Sequence, residues 1–344
     1  MRPSDARVET PSSDLPATMA VIAQHRYGEA DDLAATRLPV PTPGPRDVLV
    51  RVAAAALNPA DVFLMRGRPK VLRLAAGARR PKVTVRGSDV AGEVVAVGAD
   101  VAHWRRGDRV FGEASSGSLA EYALARGDRI ARVPEGVPWV DAAASVMAAL
   151  AARDGLVAGG LPPDADANGK RVLIIGASGG IGSFAVQLAT HAGAHVTAVC
   201  SGRNADAVRA LGAHAIVDYT RESVADLPAW FDVIFDNVGA TPMEELHALT
   251  SATGVVLPNS GLPGPDGGPL MRVARCHARR VLLRRRYRAF LSTPSTAALE
   301  SIAGALRDGT LSPLLDVVLP LERGSEAMAR VASGHARGKV VVTP

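Results

Sequence analysis

The pattern of apolar and polar positions changes along the chain at about residue 142. Before that point the apolar positions form short, mostly alternating runs, such as 47–53, 90–97 and 107–111, and glycine or proline separates one run from the next. Alternation with a period of two is typical of strands that bury one face. Short strands at close spacing predict a β-rich domain of the partly open barrel type.

From about residue 143 the pattern alternates between strands and helices. Val172 to Ile175 is a continuous apolar run, as expected for a parallel strand covered on both faces, and Ser183 to Ala189 has the composition of a helix. This alternation predicts an α/β domain with a doubly wound parallel sheet. Its further predicted elements are strands at 195–200, 215–218, 231–236 and 254–257 and a helix at 205–211.

After residue 293 the pattern of short strands returns, with a predicted helix at 296–307 and predicted strands at 314–319 and 339–342. The β-rich domain is therefore expected to be discontinuous. The predicted organisation is a polar, proline-containing and disordered extension at 1–18, the first part of the β-rich domain at 19–142, the α/β domain at 143–293, and the return segment of the β-rich domain at 294–344.

Three glycines follow the first strand of the α/β domain. Gly176, Gly179 and Gly182 stand between strand and helix, where a glycine turn lets the backbone approach a pyrophosphate and helix N–H groups meet its charge. The sequence therefore predicts a dinucleotide site. Part of the same turn also fits the G-x-S-x-G pattern of a serine hydrolase, with Ser178 as nucleophile and with Asp316 and His335 following in order. We favour the dinucleotide, because a nucleophile elbow does not require Gly182.

The end of the second predicted strand indicates which dinucleotide binds. NAD-selective units usually carry Asp or Glu there to bind the ribose hydroxyls. Here the chain reads Cys200, Ser201, Gly202, Arg203, with no acid before Asp206. Ser201 can donate to a 2′-phosphate and Arg203 can grip it with its planar fork, so NADPH is the predicted cofactor.

Composition limits the remaining possibilities. At 344 residues the chain can form two domains, no apolar run approaches the roughly 20 residues of a membrane span, and the two cysteines lack a paired spacing, so a cytoplasmic enzyme is expected. Eight arginines lie between Arg272 and Arg288, and without them the net charge of +5 becomes −3. We interpret this segment as a solvated helix or loop. The alternative is an NADPH-binding protein with little redox turnover that acts through a partner or an anionic surface, by peripheral membrane contact rather than nucleic-acid binding.

Six motifs together resemble one known family, the medium-chain dehydrogenase/reductase superfamily, in its zinc-free quinone oxidoreductase-like branch. The resemblance runs from about Met19 to Pro344 and implies a Rossmann domain beside a discontinuous GroES-like catalytic domain, in a homodimer or homotetramer, of which we expect the homodimer. The motifs are Leu57 to Asp61, Gly87 to Gly98, Gly107 to Gly112, Gly176 to Gly182, Phe235 to Gly239 and Gly334 to Val341.

The resemblance also implies cofactor contacts for individual residues. The turn would line the pyrophosphate, the ends of the second and third strands would surround the 2′-phosphate and ribose, and the ends of the later strands would lie near the nicotinamide side. In that order the residues are Ser178, Gly179, Gly180, Ile181 and Gly182; Ser201, Arg203 and Tyr219; and Asn237, Ser260, Leu262, Phe290 and Leu291, the last two on the sixth strand. Lys339 also matches a family lysine, but no contact can be assigned to it from the sequence.

Zinc members of the superfamily carry a Gly-His-Glu motif where this chain has Gly87, Ser88 and Asp89, and neither cysteine lies in the first domain. Without a Lewis acid, the favoured substrate is a quinone or α,β-unsaturated carbonyl compound, which spreads the incoming charge through its own carbonyl.

Three residues are candidates for the acid–base half of the reaction. Asn58 is expected to donate a hydrogen bond to the substrate or cofactor, and Asp61 is expected mainly to tie its loop. Tyr122 is a candidate proton donor, since Phe63 stands where the family often has tyrosine.

Overall fold

The computed structural model describes residues 15–162, 166–259, 264–282 and 286–344, and the chain divides into two compact units. The first unit comprises the chain up to Met147 together with Pro294–Asp308 and Leu315–Pro344. The second comprises Ala148–Thr293 and Gly309–Leu314. The first boundary therefore lies five residues after the predicted one, and Gly309–Leu314 groups with the second unit rather than with the return segment.

The described strands and helices follow the three-part order that the apolar pattern predicts. The strands are β1 (Thr18–Ala23), β2 (Ala34–Pro39), β3 (Asp47–Leu57), β4 (Asp89–Val97), β5 (Arg109–Ala114), β6 (Tyr122–Arg132), β7 (Arg171–Ile175), β8 (His195–Cys200), β9 (Ala215–Asp218), β10 (Phe231–Asp236), β11 (Thr250–Pro258), β12 (Leu315–Pro320) and β13 (Lys339–Thr343). The helices are α1 (Pro59–Arg66), α2 (Leu72–Ala76), α3 (Trp139–Ala158), α4 (Gly180–His191), α5 (Ala205–Ala210), α6 (Met243–Ala248), α7 (Pro269–Leu282), α8 (Thr296–Arg307) and α9 (Gly324–Ala332).

The first unit is built around a sheet in the order β12-β13-β3-β4-β5-β6, and β3 also pairs with β6, so the sheet curls towards closure. Its alternating apolar side chains are buried inside, and Val48, Val50 and Val90 have no exposed surface. The register aligns Val340 of β13 with Leu57 of β3, and Ala56 of β3 with Asp89 of β4. The predicted β-rich, barrel-like domain is confirmed, and this register brings together residues that are distant in sequence.

The second unit contains a parallel sheet in the order β11-β10-β7-β8-β9. Its central strands are buried on both faces, and Val172, Leu173 and Ile174 have no exposed surface. Three of the strands, at 195–200, 215–218 and 231–236, have the predicted bounds. The predicted α/β domain with its parallel sheet is confirmed, and the carboxyl ends of its strands lie together at one edge.

Two predicted boundaries differ from the structure. β1 begins at Thr18, one residue inside the predicted N-terminal extension, while residues 1–14 of that extension lie outside the described residues. The expected sixth strand is reduced to a single parallel bridge between Tyr287 and Val256, and Phe290 and Leu291 follow it without strand pairing. Among the described residues, no helix is both long and apolar enough to cross a membrane.

The arginine-rich segment is not simply a solvated face, and that prediction is wrong for Arg272. Residues 269–282 form α7, and only 1% of the surface of Arg272 is exposed. Arg272 Nη2 donates to Asp236 Oδ2 at 2.6 Å. Arg279 donates to Glu244 at 2.7 Å and to Asp266 at 3.1 Å. Arg272 and Arg279 therefore pair with carboxylates inside the second unit.

Candidate active site

The glycine turn after β7 is packed too tightly for larger residues. Gly176 has a φ of +77°, and a Cβ on it would lie 2.7 Å from Val238 Cγ2. A Cβ on Gly182 would lie 2.2 Å from the Gly176 carbonyl oxygen, which is backbone and cannot move aside. The glycines therefore let the start of α4 pack directly against the turn, as a phosphate-binding turn requires.

The start of α4 offers backbone donors to an anion. The helix begins at Gly180 with Gly179 as its N-cap, and the first N–H groups of any helix have no intrahelical acceptor. Among the described residues, no loop carbonyl accepts a backbone hydrogen bond from Gly180, Ile181 or Gly182. Residues 178–181 are only partly buried, so these donors can meet a ligand. The turn thus fits a pyrophosphate, as the sequence predicts.

Ser178 has a partner that the sequence did not indicate. Asn204 Nδ2 donates to Ser178 Oγ at 3.0 Å, which ties the segment after β8 to the glycine turn. The other members of the proposed hydrolase triad have partners of their own: Arg330 pairs with Asp316 at 2.5 Å, and His335 Nδ1 lies 2.7 Å from the Ser333 carbonyl oxygen. Within the described residues no histidine is hydrogen-bonded to Ser178, so the structure lends the hydrolase alternative no support.

The residues proposed to select the cofactor meet at the neighbouring ends of β8 and β9. Cys200 and Asp218 are in register, which places Ser201 beside Tyr219. Ser201 is buried, whereas Tyr219 is 55% exposed. Arg203 is exposed, and its side chain makes no hydrogen bond or ion pair with any described residue. A cation without a partner among the described residues is therefore available beside the predicted ribose position.

The structure also brings an acid to this edge, from the strand next to β8. Asp218 Oδ1 accepts hydrogen bonds from Thr220 N at 3.0 Å and Thr220 Oγ1 at 2.8 Å, and Arg221 lies 3.7 Å from Oδ2. The hydrogen bond from the Thr220 side chain is the main cause that lowers the pKa of Asp218. Sequence reasoning missed this residue because it looked for a selecting acid only at the end of the second strand, although it placed Tyr219 at this edge. The rule that parallel strands end at the same edge could have found it.

The loop after β10 is held in place by hydrogen bonds to a buried carboxylate. Asp236 Oδ1 accepts from Val238 N at 3.0 Å and Gly239 N at 2.9 Å, and Asp236 Oδ2 is paired with Arg272. Asn237 donates through Nδ2 to the Ile175 carbonyl at 3.3 Å. This loop therefore holds Asn237 at the edge of the sheet between β7 and β10.

The remaining predicted cofactor residues divide into three cases. Ser260 and Leu262 lie outside the described residues. Phe290 packs edge-to-face on Phe235, with ring centroids 5.7 Å apart. Leu291 is 88% exposed, so its side chain makes little contact within its own unit.

The first unit contains a buried charged cluster centred on Lys339. Lys339 Nζ donates to Asn58 Oδ1 at 2.6 Å and pairs with Asp89 Oδ2 at 3.2 Å, and all three residues are buried. The contact follows from the register, because Asn58 follows β3 at the point where Lys339 begins β13. This gives Lys339 the contact that the sequence could not assign.

The lysine fixes the orientation of the Asn58 amide. An ammonium group only donates hydrogen bonds, so the Asn58 atom that faces it is the oxygen. Asn58 Nδ2 is then the other end: it is sealed from solvent, makes no hydrogen bond of acceptable geometry with any described atom, and lies near enough to Asp89 to favour the ionised carboxylate. Burial raises the pKa of Asp89, and Lys339 and the Asn58 amide oppose that rise.

Asp61 ties the loop at the start of α1. Asn58 N donates to Asp61 Oδ2 at 2.8 Å, and the Ser88 hydroxyl donates to Asp61 Oδ1. Burial raises the pKa of Asp61 from 3.8 to about 6, although both hydrogen bonds favour the ionised form. Ser88, in the position of the family's metal-binding histidine, is thus bonded to Asp61. Among the described residues, no three His, Cys, Asp or Glu side chains are grouped so that they could hold a metal ion.

The structure does not bring Tyr122 to this cluster. Tyr122 is in register with Arg51 of β3, and Asn58 lies seven residues further along the chain, a distance of roughly 20 Å at the rise of a strand. The other tyrosine of the first unit, Tyr27, donates its hydroxyl to the Gly77 carbonyl at 2.6 Å. Asn58 and Asp61 therefore form one site, and Tyr122 lies apart from it.

Comparison with known proteins agrees with this arrangement. The profile described as alcohol dehydrogenase GroES-like domain matches residues 44–135, and the one described as zinc-binding dehydrogenase matches residues 211–342. A chloroplastic quinone-oxidoreductase homolog of Spinacia oleracea is 33% identical over 326 residues, covering 92% of this chain and 95% of that protein. A chloroplastic NADPH-dependent alkenal/one oxidoreductase of Arabidopsis thaliana is 31% identical, covering 97% and 82%. The structure of the quinone oxidoreductase from Coxiella burnetii superimposes with a TM-score of 0.82 at 26% identity, covering 95% and 99%.

Proposed function

Because this chain belongs to the quinone-oxidoreductase-like branch of the medium-chain dehydrogenase/reductase superfamily, we propose that it reduces quinones or α,β-unsaturated carbonyl compounds with NADPH and without zinc. That it is an oxidoreductase with a nicotinamide cofactor follows from the family. The observation that carries the finer proposal is Asn58 Nδ2, a buried donor without a well-formed hydrogen bond among the described residues, which substrate binding must uncover before it can donate to an oxygen acceptor. The names of two relatives, a quinone oxidoreductase homolog and an alkenal/one oxidoreductase, support the same substrate class.

NADPH is favoured over NADH by the charges at the ends of β8 and β9. Arg203 is an unpaired cation there, and Ser201 supplies a hydroxyl beside it. Asp218 favours NADH, because a carboxylate binds ribose hydroxyls and repels a phosphate. However, both Thr220 donors occupy Asp218 Oδ1 and Arg221 lies near Oδ2. Asp218 therefore acts as a cap for its own turn, and the cationic Arg203 decides the selectivity.

The chain's own residues explain why a conjugated acceptor suits the first unit. A nicotinamide cofactor, when bound, would supply a hydride. When the β-carbon of an enone accepts it, negative charge grows on the carbonyl oxygen, and a preorganised donor stabilises that charge. Lys339 holds the Asn58 oxygen, so Nδ2 would be the end that donates to the substrate once binding uncovers it. Since Tyr122 lies apart and Asp61 is committed to Ser88 and to the Asn58 backbone, we assign the final protonation to solvent.

A steady-state assay tests the proposal. Purified protein is given NADPH with a panel of enones, alkenals and quinones, each with and without a metal chelator. NADPH oxidation with at least one conjugated acceptor is expected, unchanged by the chelator, and a saturated ketone of the same size is the control. Tight NADPH binding without oxidation by any acceptor would contradict reductase activity, and loss of activity with chelator would contradict the zinc-free part.

The alternative of action at an anionic surface has less support from the structure. Arg272 and Arg279 are engaged by Asp236, Asp266 and Glu244 inside the second unit. Arg286 and Arg288 donate to the carbonyls of Thr253 and Ala158. Sedimentation with anionic vesicles at low and high salt tests what remains of this alternative. Salt-sensitive association would favour it.

A further inference from the structure

Arg86 is a buried arginine whose charge has no partner among the described residues. It precedes Gly87 in the segment leading into β4, and only 5% of its surface is exposed. Its backbone is held firmly, since its carbonyl accepts from Ser118 N at 3.1 Å and Leu119 N at 2.9 Å. Its guanidinium, in contrast, forms no hydrogen bond or ion pair with any described residue.

A charge in this position is unfavourable in the protein alone. Buried charges are normally paired, and an unpaired one costs more than an apolar side chain of similar volume. Burial lowers the pKa of the Arg86 guanidinium, and only the nearby Asp61 and Tyr27 oppose that effect. Neither of them is close enough to form an ion pair, and both have other hydrogen-bond partners. Nothing in the fold of the described unit therefore accounts for this arginine.

The guanidinium is open at its tip. Of its three nitrogens only Nε is both sealed from solvent and without a partner, so the two terminal nitrogens, which also lack partners, still reach accessible space. Val85 points into the apolar core, whereas Ser88, two positions after Arg86, bonds to Asp61 beside Asn58. The open fork thus belongs to the segment that also builds the Asn58 site.

We propose that Arg86 binds an oxyanion, a carboxylate or phosphate group, through its two terminal nitrogens. This inference rests on the proposed function and adds to it: a carboxylate carried by the conjugated acceptor would make the preferred substrates anionic. A planar fork matches two carboxylate or phosphate oxygens at once. The other source of such a group is a phosphate of the cofactor.

A matched pair of acceptors distinguishes the two sources. trans-3-Benzoylacrylate and its methyl ester share one enone and differ in one negative charge. We expect kcat/KM to favour the acid by roughly tenfold or more, and Arg86→Met to remove that preference while leaving the ester unchanged. Arg86→Lys should restore part of it. If Arg86→Met instead weakens NADPH and NADH binding alike and spares the acid preference, the oxyanion is a cofactor phosphate. If neither acceptor preference nor cofactor affinity changes, the proposal is wrong.

A second measurement needs no turnover and separates this inference from the proposed reaction. The saturated keto acid 3-benzoylpropionate should raise the melting temperature of the wild-type chain, but not of Arg86→Met. Arg86→Met itself should melt at the same or a higher temperature, because it removes an unpaired buried charge; a structural arginine would give a lower one. Arg80→Met, which removes an exposed charge from the same unit, is the control. A shift that survives Arg86→Met contradicts the inference even if enones are reduced, and a shift that requires Arg86 supports it even if none is.

Discussion

Two polar sites of the molecule are built in opposite ways. One is the nucleotide edge of the second unit, by which we mean the glycine turn and the ends of β8 and β9. The other is the Lys339 cluster of the first unit, formed by Lys339, Asn58 and Asp89. The glycine turn at the nucleotide edge uses consecutive residues, from Gly176 to Gly182, and the N–H groups of residues 180–182 donate to no loop carbonyl of the described residues. The cluster uses side chains from positions 58, 89 and 339, which three neighbouring strands bring into register. The glycine turn is formed by residues that are adjacent in sequence, whereas the Lys339 cluster exists only after the sheet has formed.

Mutations are expected to have different consequences in the two sites. Charges at the nucleotide edge stand in water, where salt and solvent weaken each interaction. Charges in the cluster are nearly free of solvent, so each depends on its partner. We therefore expect variants of the cluster to affect folding as well as catalysis, and variants of the edge to affect cofactor choice alone.

The largest effect is expected for Lys339→Met, which leaves Asp89 buried without its cation. Removal of one member of a buried ion pair costs about 3–5 kcal/mol, so the midpoint of urea unfolding at pH 7 should fall markedly. The double variant Lys339→Met with Asp89→Asn should regain most of the loss. Lys170→Met, which removes half of the solvent-exposed pair with Asp232, should cost less than about 1 kcal/mol. An equal loss of unfolding free energy in Lys339→Met and Lys170→Met would contradict the expected difference between the two regions.

The next effect concerns the Nδ2 end of the Asn58 amide. Asn58→Ala removes the donor and should lower kcat by about 10²- to 10³-fold, the usual consequence of losing one donor to a developing oxyanion. Asn58→Asp retains an oxygen for Lys339 but has no Nδ2, so it should lose as much activity while keeping NADPH affinity. Substantial activity in Asn58→Asp, measured by stopped-flow oxidation of NADPH, would show that the amide nitrogen is not the donor.

A pH effect of intermediate size is expected from Asp61. Its folded-state pKa of about 6 lies above the ordinary 3.8, so the folded state holds this proton more tightly. The stabilisation is fully present below pH 3.8 and is lost as the pH rises through about 6. The difference amounts to at most about 3 kcal/mol. Asp61→Asn should therefore gain stability relative to the wild type between pH 4 and pH 7, measured by denaturant unfolding. A pH-independent difference would contradict the raised pKa.

The smallest effect is expected at the nucleotide edge. Arg203→Ala should weaken NADPH binding by about tenfold or somewhat more, and should leave NADH binding unchanged, because only NADPH carries the 2′-phosphate. Fluorescence titration of both cofactors measures this. Arg209→Ala removes a nearby exposed arginine that is paired with Asp206 and serves as the control. If both cofactors bind Arg203→Ala as they bind the wild type, the selectivity resides elsewhere, and Asp218→Asn becomes the next variant to titrate.

Much of the fold could be read from the sequence because its signals are local. The bounds of β8, β9 and β10 follow from short apolar runs, and the glycine turn follows from a spacing of three residues. Three contacts escaped prediction for a common reason. Asp218 reaches the nucleotide edge from the neighbouring strand, Arg272 is buried by its pairing with Asp236, and Lys339 meets Asn58 across 281 positions of sequence. Each depends on which strands or helices become neighbours.

Patterns in the sequence were enough to predict the two types of sheet, the glycine turn and the family to which the chain belongs. All of these depend on residues within a few positions of one another, where the periodicity of the backbone decides which side chains share a face. Only the folded chain shows which atom of the Asn58 amide faces Lys339, what Lys339 contacts, and that Arg86 has no partner among the described residues. Those facts depend on burial, since the chemistry of a charged or polar group is set by what surrounds it once water has been excluded.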